Sequence, residues 1–170
     1  MKSSSLVPVS TSRVVVDHIR LTTAKPFDQV RTDFERQLGR FDADAYQSLA
    51  AGENAETART RIEAMAGPSG LMVFAMYDHG SLLRVTGLTR KALQYVIGNP
   101  LYAIQMTQHA IGASLYAPLR VLLYENDEGK TCVEYDRPSS LFGQFGDDRI
   151  TQAALSLDQK LEDLAATAMR

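Results

Sequence analysis

Two short polar clusters stand where apolar runs stop, and they hold the residues best suited to chemistry. Asp78-His79-Gly80 closes the run LMVFAMY, and Gly98-Asn99-Pro100 closes the run YVI. The ends of elements on a rigid scaffold are where sites are usually built. His79 is the leading candidate for proton transfer or ligand contact, with Asp78 as the carboxylate that orients or charges its imidazole. Adjacent strand residues point to opposite faces, so this partnership requires a turn at Gly80; the alternative is a structural hydrogen bond closing the strand end. Arg120 opens one arm of a hairpin and Tyr135 closes the other. As cross-strand neighbours pointing inward they would offer a guanidinium and a phenol to a carboxylate-bearing ligand, and Tyr135 could also assist His79. His109 shares a helical stripe with Met106 and Tyr102, which faces a pocket, a core or a dimer contact. Asn99 is accounted for as a helix cap ahead of Pro100, and alternatively as a corner whose amides meet an anion.

Several classes of chemistry lack their residues. The chain has only 3 His, with no paired helical spacing, whereas a catalytic zinc wants three protein ligands held together. No metal and no other cofactor is therefore expected; haem ligation by His79 or Met106 is the open alternative, without an attachment motif. Ser139 and Ser140 sit outside any nucleophile elbow, and no Gly-rich nucleotide fingerprint occurs. A net charge of -2, with Lys and Arg interleaved among acids, leaves no basic stripe for nucleic acid. No apolar run approaches the ~18 residues of a membrane span, so no membrane partner is expected. The N-terminal stretch is too short and polar for a signal peptide, which points to a cytoplasmic protein. Cys132, in an apolar run, reads as a buried and inert thiol.

The elements that must position these residues follow from periodicity. At 170 residues, 45% hydrophobic and 22% charged, the chain suits one globular domain at 13–170 behind a flexible tail at 1–12. Residues 13–22 alternate as a half-buried strand, with Val15, Ile19 and Leu21 on one face and His18 and Arg20 on the other. Pro26 opens a helix whose stripe is Phe27, Val30, Phe34 and Leu38. Residues 40–66 read as a surface helical insertion bearing Ala58, Ile62 and Met65. The run 70–77 is apolar on both faces, which predicts a central strand covered on both sides. Helical turns capped by Gly87, a strand over 91–97, and a helix from Asn99 to about Gly112 follow. Residues 119–124 and 130–135 flank an acidic turn ending in Gly129, the clearest hairpin in the chain. Asp147 or Asp148 caps a last helix with the stripe Ile150, Ala154, Leu157, Leu161 and Leu164.

Taken in order, Asp78-His79, YVIGNP at 95–100, the strand APLRVLLYE at 117–125 and YDRPSS at 135–140 resemble the domain of unknown function 302 family. The resemblance spans about 70–164 and implies a compact α+β fold, commonly dimeric, with no established reaction. The stretch 40–66 is longer than the connection the family would imply.

The fold expected is a two-layer α+β domain, with helices on a mixed, mostly antiparallel sheet. The expected function is small-molecule binding in a pocket at the strand ends, lined by His79, Asn99, His109, Arg120 and Tyr135. The rivals are an enzyme using His79 as general acid or base, and a structural dimeric module acting through protein partners; a homodimer in solution is expected.

Overall fold

The structure, a computed structural model, describes residues 7–52 and 54–170. The chain runs β1 (His18–Thr23), α1 (Phe27–Arg36), β2 (Gly39–Arg40), α2 (Ala43–Ala50), α3 (Ala55–Met65), β3 (Met72–Asp78), α4 (His79–Leu82), β4 (Ala92–Gly98), α5 (Pro100–Thr107), β5 (Leu119–Glu125), β6 (Thr131–Asp136), α6 (Pro138–Phe142) and α7 (Asp148–Met169). Short 3-10 turns occupy Leu83–Thr86, Ile111–Tyr116 and Gly143–Phe145. The strands form one sheet in the order β1-β6-β5-β4-β3-β2. Every neighbouring pair is antiparallel except β2 with β3, which gives the mixed, mostly antiparallel α+β fold read from the sequence.

Alternation decides which face of the sheet is covered. Leu93, Tyr95 and Ile97 of β4, Leu119, Val121 and Leu123 of β5, and Val133 and Tyr135 of β6 all turn one way into the core. They meet Phe27, Val30 and Phe34 of α1 and the stripe Ile150, Ala154, Leu157, Leu161 and Leu164 of α7. Each fully buried side chain of this size contributes about 1.5–3 kcal/mol, so this one interface carries most of the hydrophobic driving force. Asp147 starts α7 by accepting from the Arg149 amide at 2.8 Å. Asn126 accepts from the amides of Glu128 and Lys130, and Gly129 takes φ 73°, which closes the β5–β6 turn.

Several elements differ from the expectation. β1 begins at His18 rather than at residue 13, because its partner ends there: His18 pairs with Asp136, and the Arg137 amide makes the last bond, to Asp17. Val15 is accordingly exposed. β3 is second from the edge, not central. β2 covers its edge only at Met72 and Val73, the register slips between Val73 and Ala75, and Met76 and Tyr77 emerge into solvent. Met72 shares the sheet face of Gly98, opposite the main core, and is still fully buried. α5 stops at Thr107 and Ala110 is extended, so the helix does not reach Gly112. Pro138 opens the short helix α6 directly after β6, an element the sequence reading does not include.

The helical excursion at 41–66 leaves and returns at one point. Gly39 and Gly67 pass back to back: a Cβ on Gly39 would lie 1.8 Å from the Met65 carbonyl oxygen, and one on Gly67 would lie 2.4 Å from the Gly39 nitrogen. Both glycine amides donate to the Leu71 carbonyl, at 2.9 and 3.0 Å. The Ser69 amide and hydroxyl both donate to the Gln37 carbonyl, at 3.0 and 2.8 Å.

Candidate functional site

The residues singled out for chemistry are not brought to one place. Asp78 and His79 lie where β3 meets α4, with Asp78 opposite Leu93 at one end of the sheet; Asn99 follows Gly98, which sits opposite Met72 at the other. The Asp78 carboxylate is committed to Ser81, accepting from its amide at 2.8 Å and its hydroxyl at 2.6 Å. These bonds hold its carboxyl below the usual range. His79 is exposed, and its imidazole makes no hydrogen bond among the described residues. The bond that closes the strand end thus comes from Asp78. Arg120 and Tyr135 are not cross-strand neighbours. Tyr135 pairs with Val121, so Arg120, one residue away, points from the opposite face into solvent. Tyr135 is buried in the core, its hydroxyl without a hydrogen bond among the described residues, and burial with nearby Glu162 pushes its pKa up to about 12. His109 is exposed just beyond α5, although Met106 on its stripe is buried.

Asn99 belongs to a different assembly, a cavity of about 1000 Å3 at its end of the sheet. One wall is the corner of β4 and α5, from Gly98 and Asn99 to Met106. Another is α3, whose Ala55, Ala58, Arg59 and Ile62 recur at three- and four-residue steps and so share a face. Phe74 of β3 and Phe41, with ring centroids 4.5 Å apart, close the side next to Tyr46. Pro118, Phe142 and Leu157 complete the wall. Gly98 keeps room there, since a Cβ would reach Phe74 and Pro118 at 3.5 and 3.6 Å. Of the predicted pocket residues, only Asn99 lines this cavity.

Two polar side chains of the wall are bonded within the protein. Asn99 accepts from the Leu101 amide at 2.8 Å and donates to the Gly70 carbonyl at 2.9 Å, capping α5 as the sequence suggests. The Ser114 hydroxyl donates to the Ile111 carbonyl. Arg59 is the one charged residue of the wall among the described residues. Periodicity in α3 was the available signal for this wall; Phe41 and Phe74, brought together by the pairing of β2 with β3, left no such trace.

A second cluster lies on the sheet face away from the main core. His18 Nδ1 is 2.9 Å from Asp136, and its Nε2 is 3.1 Å from Glu134. Arg20 and the Tyr124 hydroxyl, the latter at 2.6 Å, donate to the other oxygen of Glu134. Two acceptors suit an imidazolium, and the bonds to Asp136 and then Glu134 raise the His18 pKa. Burial alone would raise Glu134, but bonds from Tyr124, Arg20 and His18 outweigh it and hold its carboxyl low. The cluster joins three strands, and both ring nitrogens of His18 are used within it. Among the described residues, no group of three or more His, Cys, Asp or Glu is placed to hold a metal ion. No helix among them is long and apolar enough to cross a membrane.

A six-stranded mixed sheet with its helices packed against it, and an apolar cavity open at one end, defines an α+β domain. The chain belongs to the family described as Domain of unknown function DUF302, whose model matches residues 47–168. That match includes α3, so most of the excursion lies within the family's own span. The fold is similar to the crystal structure of an uncharacterized conserved protein DUF302 from Bacillus stearothermophilus, with a TM-score of 0.62 and 14% identity over 90% of this chain and 98% of that one. A search of curated proteins found no match.

Proposed function

We propose that the protein binds a small, largely apolar molecule in the cavity between α3, α5 and the ends of β3 to β5. The observation that carries this is the character of the wall: about 1000 Å3 bounded mainly by aliphatic and aromatic side chains, with its buried amide already bonded inside the protein. Ligand sites are commonly concave and apolar, with few polar groups and volumes of about 300–1,000 Å3. A cavity this large also removes packing partners from its own lining, a loss that an apolar occupant makes good. His79 as general acid or base has less support, because Asp78 is engaged by Ser81 and no other predicted residue stands beside the imidazole. Self-association is carried as a proposal of the family resemblance, supported by the exposed Met76 and Tyr77; light scattering tests it.

The binding reading is tested with dodecanol as probe. Ala103 lines the cavity from α5, and Ala103→Trp obstructs part of it. Dodecanol is expected to raise the Tm of the wild type more than that of the folded variant, since a ligand stabilises only the state that binds it. Equal shifts in both proteins would place binding elsewhere.

A further inference from the structure

We propose that the cavity's occupant is an amphiphilic carboxylate, an apolar chain whose head group is held by Arg59. This rests on the reading of the cavity as a small-molecule site. Arg59 is the only charged residue of the wall among the described residues, so the wall places a cation and no acid beside an otherwise apolar space. An entering carboxylate therefore meets a cation in the wall, with Glu63, bonded to that cation, as its competitor, whereas an ammonium head meets the guanidinium. A guanidinium also matches the two oxygens of a carboxylate, which a neutral head group cannot exploit.

The guanidinium is available. Its Nε bonds Glu63 at 3.2 Å in a pair one helical turn apart, with the two side chains 62% and 57% exposed. That is longer than the roughly 2.7–2.9 Å of a strong charged hydrogen bond, and exposed pairs of this kind contribute little. The two terminal amino groups of Arg59 make no hydrogen bond among the described residues. Among the described residues, Glu63 is thus the only group the head group has to compete with. Ile104 and Ile111 line the same cavity and are also exposed, which gives an apolar chain a continuous path inward.

The test compares dodecanoate, dodecanol and dodecylamine by isothermal titration below their micelle concentrations, on the wild type, Arg59→Gln and Glu63→Gln. Dodecanoate is expected to bind the wild type up to about fivefold more tightly than dodecanol, with dodecylamine weakest. Arg59→Gln should abolish the preference for dodecanoate while leaving dodecanol unchanged. Glu63→Gln, by removing the competitor, should strengthen dodecanoate alone. Both residues are exposed, so unchanged thermal melts confirm that the variants are folded. Equal binding of dodecanoate and dodecanol, or a preference that survives Arg59→Gln, overturns the head-group assignment and leaves the cavity reading standing. Failure of all three probes to bind the folded wild type overturns both.

Discussion

Leu157 and Leu161 of α7 offer a comparison that tests whether the cavity is open in solution. The two lie one turn apart on the same helix, at 3% and 1% exposure, but only Leu157 borders the cavity. Truncating either to Ala removes three carbons from the core, about 2.4 kcal/mol at about 0.8 kcal/mol per methylene. At Leu161 the surroundings are close-packed, so the new void adds its own cost and the total should reach about 3–5 kcal/mol. At Leu157 one side already faces empty space, so fewer contacts are lost and the total should stay near 2–3 kcal/mol. Urea unfolding followed by circular dichroism separates the two, with an unchanged m-value showing that only stability has moved. In thermal melts the difference should appear as roughly 2–8 °C between the variants. A Leu157→Ala loss equal to or greater than that of Leu161→Ala would mean that the wall at α7 is closed in solution and that the cavity is not there to bind a ligand.

The folded-state pKa of His18 is raised, so the stability it contributes is complete below about pH 6.5 and is lost as pH rises through the folded value. The imidazole is exposed, so the loss should be well under about 1 kcal/mol, and His18→Gln should flatten it in melts taken across that range. Gly39→Ala should cost about 2–3 kcal/mol, because its Cβ meets backbone that cannot yield; Gly143→Ala, with nothing within 4 Å, is the neutral control in the same melts. His79→Ala should change stability by no more than about 0.5 kcal/mol, and a larger loss in urea unfolding would show the ring to be structural. A chelator should leave the melting temperature unchanged; a drop restored by one added metal would contradict this.

Strands and helices with one buried face were readable because the burial pattern and the sequence pattern are the same object. Leu93, Tyr95 and Ile97, and the stripe of α7, turned inward as their spacing required. Position along the sheet was another matter. The run at 70–77 is apolar on both faces, but that composition does not say how far a neighbour extends, and β2 supplies only two residues of cover. The pairing of Arg120 with Tyr135 failed by one residue of register, which is enough to move a side chain through the sheet. His79 and Asn99 each lie at a strand end, yet at opposite ends, since consecutive antiparallel strands reverse direction between them. The cavity wall was hidden because it joins residues distant in the chain, such as Phe41, Phe142 and Leu157, through contacts that no local periodicity encodes.

The back-to-back passage of Gly39 and Gly67 separates the length of the excursion from the geometry of the sheet. Since both ends of 41–66 are pinned at one point, a longer or shorter segment closes over the same gap, at an entropic cost of about 0.6 kcal/mol per doubling of length. α3, Phe41 and Tyr46 belong to that segment, whereas Met106, Phe142 and Leu157 belong to the scaffold beneath. The chamber therefore has a fixed floor and an interchangeable roof: its capacity and the charge of its lining can be rewritten within 41–66, leaving the strand registers as they are.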